Sequence, residues 1–263
     1  MIHNYSMNAG KVFHWDTSDS EALYLKNIKE PKLYEQLNNL GFLDTEIHYK
    51  FNSHGFRTDE FGDKAEVLCF GCSFTSWQWP TWADLLQKKY GNVTNLGKSG
   101  AGNVYIFTKI MEKYTQGHIT EDDLVMVCWT GHYRLDMKFK GEWRTGGNLL
   151  TQDVYSMDFV KKYCDPQYFL ERDLYLVHAV NQIFKGRIIN FSMADVDRLD
   201  QYNNTYVPLD KPDKLQKTLD TFYPSFYKVL WNNDFNTIKL RDDYHPTETE
   251  HATYLEKVFE EKI

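Results

Sequence analysis

Val67-Leu-Cys-Phe-Gly-Cys-Ser-Phe-Thr75 decides the fold. Its opening residues form an apolar run stopped by a glycine, the pattern of a strand buried on both faces. The run ends in a tight turn carrying one serine, Ser73, with a helix expected to start just beyond it. A hydroxyl at the carboxyl edge of a parallel strand faces the crevice where open α/β sheets bind ligands, and the turn aims backbone N–H groups at a developing oxyanion. An isolated serine of this kind more often caps a helix. Whether Ser73 is a nucleophile is decided by what lies at the other strand ends.

Outward from this stretch, short apolar runs alternate with amphipathic segments. Strands are expected at 66–70, 93–96, 124–129, 187–191 and 237–240, and helices at 82–89, 102–114, 172–184 and 247–263. Repeated βα units imply a parallel sheet with right-handed crossovers and helices on both faces. Residues 1–60 lack this alternation and read as an N-terminal extension. It has short helical stretches at 20–29 and 32–40 around Pro31, and ends in a turn at Gly55. Residues 61–263 form the α/β domain, with insertions at about 130–170 and 193–235. No internal repeat or low-complexity segment interrupts it.

Composition narrows the function. A net charge of −7 and a pI near 5.7 exclude general nucleic-acid binding, which requires clustered Lys and Arg. No apolar run approaches the roughly 20 residues needed to span a bilayer, and no basic, then apolar, segment opens the chain. A soluble, cytoplasmic protein without membrane contact is expected. The four cysteines, at 69, 72, 128 and 164, do not suggest a disulfide scaffold, and Cys69-x-x-Cys72 lacks a second zinc-ligand pair. No metal or cofactor is expected. Aromatic residues make up 16% of the chain, with 18 Tyr and 7 Trp, more than a core of this size requires, so some should line a groove that contacts carbohydrate or acyl chains.

Three further strand ends carry candidate chemistry. After the second strand, Asn95-Leu-Gly-Lys-Ser-Gly-Ala-Gly-Asn103 opens onto a helix. A phosphate site is the first rival reading, yet neither dinucleotide nor P-loop glycine spacing is met, and an oxyanion donor at the Gly100 N–H fits better. The third strand runs into Thr130-Gly-His-Tyr-Arg134. His132 there can donate an N–H to an oxyanion, and Arg134 can hold a substrate carboxylate or an internal acid; both also have purely structural readings. Trp77 and Asn103 flank these loops as candidate substrate contacts. The last strand leads to Arg241-Asp-Asp-Tyr-His-Pro246, with a capping box from Thr247 to Glu250. The Asp242-x-x-His245 spacing lets a carboxylate fix the imidazole tautomer while Nε2 takes a hydroxyl proton.

In this order the four pieces resemble the SGNH hydrolases, also called the GDSL esterase and lipase family. Gly71-Cys72-Ser73 is similar to block I, Gly100 to the block II glycine, Thr130-Gly131-His132-Tyr133 to block III, and Asp242-x-x-His245-Pro246 to block V. Asn52-Ser-His-Gly-Phe-Arg57 is similar to a segment upstream of block I in bacterial and phage-type members. The resemblance implies a three-layer α/β/α flavodoxin-like sandwich with a five-stranded, mostly parallel sheet. It makes Ser73 the nucleophile, His245 the general base and Asp242 its orienting acid, with Ser73, Gly100 and His132 as oxyanion donors. Cys72 stands where the family has aspartate, and His132 where it has asparagine. Cys72 is a minor rival as nucleophile, and Asp243 as orienter.

The implied activity is hydrolysis of a small O-acyl ester, such as O-acetyl on a carbohydrate, through an acyl-enzyme. A catalytically weak glycan-binding or assembly module, or an O-acyltransferase, would share these residues. The sequence leaves the oligomeric state open.

Overall fold

The computed structural model describes residues 12–14, 29–32, 34–35, 48–50, 67–77, 80–120, 122–140, 142–149, 155–196, 198–199, 207–208, 213–233 and 245–259. Four strands form a parallel sheet: β3 (Val67–Gly71), β4 (Val93–Asn95), β5 (Leu124–Trp129) and β8 (Ile188–Ser192), in the order β4-β3-β5-β8. Counted along the chain this is order 2-1-3-4, the start of the flavodoxin-like arrangement, whose switch point lies between the first and third strands. Here that crevice lies between β3 and β5, which pair from Val67↔Leu124 to Gly71↔Cys128. The expected fifth strand, at 237–240, lies outside the described residues, as do the turn at Gly55 and most of both N-terminal helical stretches. Within the extension, β1 (Val12–His14) pairs antiparallel with β2 (His48–Lys50).

Continuous apolar strands require cover on both faces. Helix α1 (Trp82–Tyr90) carries the chain from β3 to β4, and α2 (Asn103–Thr115) and α4 (Pro166–Phe184) carry it back across β5 to β8. Right-handed crossovers therefore place α1 on one face and α2 with α4 on the other. The C-terminal helix α7 (Glu248–Phe259) packs on α1 and on the short α6 (Phe226–Trp231). The core beneath them includes Phe70, Trp82, Val125, Val127, Phe191 and Phe226, each nearly inaccessible.

The 130–170 insertion has regular structure of its own. It forms a β-hairpin, β6 (Arg134–Phe139) with β7 (Glu142–Asn148), then α3 (Met157–Tyr163). Helix α4 begins at Pro166, six residues before the expected start, with Asp165 Oδ1 accepting from the Gln167 N–H. The 193–235 insertion contains α5 (Asp213–Leu219) and α6, together with a two-residue antiparallel pairing of β9 (Arg198–Leu199) with β10 (Val207–Pro208).

Candidate active site

Ser73 sits in a single turn and not at a helix start. The Thr75 and Ser76 N–H groups both donate to the Cys72 carbonyl, and helix begins only at Trp82. Thr75 anchors the turn. Its carbonyl accepts from Thr81 Oγ1 and Asn95 Nδ2, both at 2.7 Å, and its hydroxyl accepts from Trp82 Nε1. A Cβ on Gly71 would collide with Thr75 Oγ1, so the glycine in this motif gives room for that anchor. Ser73 itself is 5% exposed. Cys72, the rival nucleophile, is fully buried.

The glycine-rich loop runs beside this turn. Beyond β4 it keeps bonding to β3, Leu96 N–H to Cys69 O and Lys98 N–H to Gly71 O, and Gly97 lies against the Thr75 side chain, so this end of the loop runs beside the Ser73 turn. Gly100 has φ +75°, a conformation favouring glycine, and its carbonyl accepts from Gly147 of the hairpin. Burial and nearby Lys109 pull the Lys98 ammonium down to about 8.

Helix α2 starts at Asn103, but its N-terminus is taken. Asp136 of the hairpin accepts from Gly102 N–H and Tyr105 N–H, both at 2.9 Å. Burial raises the Asp136 carboxyl, partly offset by those two bonds. A carboxylate in this position satisfies the donors a phosphate would need, which argues against a nucleotide site.

At the end of β5 the polar side chains form a lattice. Asn103 Nδ2 donates to Thr130 O at 3.0 Å and to Asp173 Oδ2 at 2.7 Å, and its Oδ1 accepts from Thr130 N–H at 2.9 Å. The amide expected to meet substrate thus bonds inside the protein. Arg134 Nη1 donates to Ala101 O at 2.8 Å, and Nη2 lies 3.9 Å from Met193 Sδ. Arg172 pairs with Asp173 at 2.7 Å and reaches the His132 and Arg134 carbonyls. His132 lines a narrow cavity with Thr130, Leu170 and Asp173, and among the described residues its buried Nε2 has no hydrogen-bond partner. Burial, then Arg172, lowers His132 to about 4, so the ring is neutral at pH 7. Burial raises Asp173 to about 7 despite the adjacent guanidinium.

His245 is set from the opposite face. Tyr254 of α7 stacks on Phe226 at 3.7 Å and donates to Pro224 O. The expected capping box is present: Thr247 N–H donates to Glu250 Oε2, Glu250 N–H donates to Thr247 Oγ1, and Trp231 Nε1 ties Glu250 to α6. These contacts fix the chain just before α7. The His245 ring lies parallel to the Trp77 indole, with centroids 3.9 Å apart at 12°, and is tilted against Phe74 at 5.2 Å. The imidazole therefore packs on the same turn that carries Ser73. Asp242 and Asp243 lie outside the described residues.

Sequence reasoning missed Asp136, Arg172 and Asp173. Asp173 had a legible signal: it occupies the stripe of Leu170, Leu174, Val177 and Val180, where a carboxylate interrupts an otherwise apolar face.

No protein-family model and no curated protein matches the chain. The solved structures it is similar to include a lipolytic protein of the G-D-S-L family from Veillonella parvula. The two share 13% identity with a TM-score of 0.41, over 74% of this chain and 98% of that one. A GDSL-like lipase from Bacteroides thetaiotaomicron is similar at 15% identity and a TM-score of 0.39, over 74% of this chain and 85% of that one. A catalytic mutant of the acetylxylan esterase Axe2 from Geobacillus stearothermophilus is similar at 16% identity and a TM-score of 0.40, over 75% and 95%. At such identities and scores, chemistry is read from the residues alone.

Proposed function

We propose that this protein is a serine ester hydrolase of the SGNH type that removes a small O-acyl group, O-acetyl on a carbohydrate in particular. The observation that carries this reading is the packing of His245 on Trp77 and Phe74, which sets an imidazole from just before α7 against the turn bearing the serine. In the proposed reaction His245 takes the Ser73 proton as Oγ attacks the ester carbonyl. The alcohol leaves with that proton, and water then hydrolyses the acyl-enzyme with His245 again as base. Asp242, by its spacing, orients the imidazole. The Ser73 and Gly100 N–H groups hold the oxyanion, and neutral His132 has one N–H to offer as a third donor. Exposed rings at Tyr163 and Tyr168 are suited to sugar contact.

A second reading, a catalytically weak glycan-binding module, is favoured by the 5% exposure of Ser73 and by His132 facing a narrow cavity beside α4. An O-acyltransferase would use the same groups and is separated by product analysis with an added sugar acceptor. Fluorophosphonate labelling and p-nitrophenyl acetate hydrolysis test the first reading. Both are expected in the wild type and lost in Ser73→Ala; a wild type that is neither labelled nor active rejects it.

A further inference from the structure

The aromatic contacts of His245 suggest a role for Trp77 other than touching substrate. Trp77 is 8% exposed and its indole lies face to face with the imidazole, 3.9 Å between centroids and 12° between planes. Phe74, three residues earlier, touches the same ring from a different angle, 42° from parallel. Phe74 is itself held edge-on by Phe226 at 5.5 Å and Tyr227 at 5.9 Å. One short segment therefore carries the serine and both aromatic walls of the imidazole, and that segment is wedged into the core. Any rotation of the imidazole about its ring normal keeps the stack, whereas tipping it out of plane breaks the stack.

We propose that Trp77 is a positioning residue that fixes the plane of the His245 ring relative to the Ser73 hydroxyl. This rests on the reading of His245 as the general base. The stack also changes in strength along the reaction. A neutral imidazole meets the indole face through dispersion, while the imidazolium formed when Ser73 gives up its proton is a cation over the most favourable aromatic face. An interaction that strengthens only as the proton transfers lowers the barrier and not the substrate affinity, so its loss is read in kcat and not in KM.

The test compares Trp77→Leu and Trp77→Phe with wild type. Ring stacking and cation–π contacts of the usual strength predict a fall in kcat of roughly tenfold for Trp77→Leu, with KM unchanged. Trp77→Phe, which keeps a ring face but a weaker one, should recover most of that loss. In parallel, the imidazole C–H proton resonances of His245, assigned with His245→Gln, should lie upfield in wild type through the indole ring current and move downfield in Trp77→Leu. If Trp77→Leu does not fold, Trp77→Phe carries the test, with a fall in kcat of about threefold and a smaller upfield shift expected. A raised KM with unchanged kcat would make Trp77 a substrate contact and overturn the proposal. Unshifted resonances in wild type would remove its geometric basis. A wild type labelled by fluorophosphonate whose Trp77→Leu variant keeps full kcat overturns this inference alone. A wild type that is never labelled overturns the esterase reading and takes this inference with it.

Discussion

Removing the Asn103 side chain is expected to cost more than almost any other polar substitution in the protein. Asn103 is 3% exposed and makes three hydrogen bonds, two to the Thr130 backbone and one to Asp173. Asn103→Ala leaves a buried N–H, a buried carbonyl and one carboxyl oxygen without that partner. Each orphaned buried group costs about 1–3 kcal/mol, a gross loss of about 3–9 kcal/mol. The space vacated adjoins the cavity lined by His132 and Asp173, so a water can enter and bridge some of the orphans, which favours the lower half of that range. We expect about 3–5 kcal/mol, which for a chain of this size lowers Tm by roughly 10 °C. Urea and thermal unfolding followed by circular dichroism measure it. Asn103→Asp adds a diagnostic, because it turns the donor facing Thr130 O and Asp173 Oδ2 into an acceptor. That variant should be less stable than Asn103→Ala at pH 8 and regain ground at pH 5, where a shared proton restores a donor. An Asn103→Ala protein within about 1 kcal/mol of wild type would refute the lattice as a structural unit.

Two further outcomes follow from the same region. Gly102→Ala should destabilise by about 2–4 kcal/mol, because its Cβ would sit 2.6 Å from Asp136 Oδ2 and 2.9 Å from Arg134 Cβ, overpacking the junction and displacing the cap of α2; wild-type stability would contradict this. Asp173 and His132 pull stability in opposite directions with pH. Asp173, raised from 3.8 to about 7, binds a proton more tightly when folded, so its stabilising contribution is full below about pH 4 and is lost as pH rises through 7. His132, lowered from 6.5 to about 4, contributes above pH 6.5 and loses that contribution as pH falls toward 4. The two slopes oppose between about pH 4 and 6.5, so Asp173→Asn should show Tm rising with pH across that window more steeply than wild type. Parallel profiles for the two proteins would sink this assignment.

The parallel strands were legible because a strand covered on both faces must be apolar throughout, and β5 matches its expected limits at both ends. The turn at Ser73 was legible for the same reason: the apolar run stops abruptly at Gly71. The hairpin was not, because its pattern is inverted. Arg134 and Asp136 face inward at 9% and 8% exposure while Met137 is 44% exposed, so hydrophobic alternation points the wrong way. What keeps those charges inside is bonding to Ala101, Gly102 and Tyr105, more than 30 residues away in sequence and invisible to any local pattern. The early start of α4 carried a readable Asp165-Pro166 cap signal, outweighed by the polar residues around it. In α7 the apolar Leu255 and Val258 are only partly covered, and His251 and Tyr254 take the interior positions with Phe259. A polar histidine on that stripe reads as surface when only hydrophobicity is counted.

The hairpin is consequently more than an appendage to the crevice. A glycine-rich loop leading into a helix N-terminus offers a concentration of N–H groups that attracts any anion. In this chain the hairpin supplies its own anion, Asp136, to the Gly102 and Tyr105 N–H groups, and its own cation, Arg134, to the Ala101 carbonyl, while Gly147 bonds the Gly100 carbonyl. The helix dipole is thus answered internally one turn downstream of Gly100. On the proposed esterase reading, a ligand entering beside Ser73 would meet the loop upstream of that neutralised helix start, where an uncharged ester carbonyl with a transient oxyanion is a better match than a permanently charged phosphate. Adding a negative charge to the substrate should therefore weaken turnover, and replacing Asp136 by Asn should relax that discrimination while loosening α2.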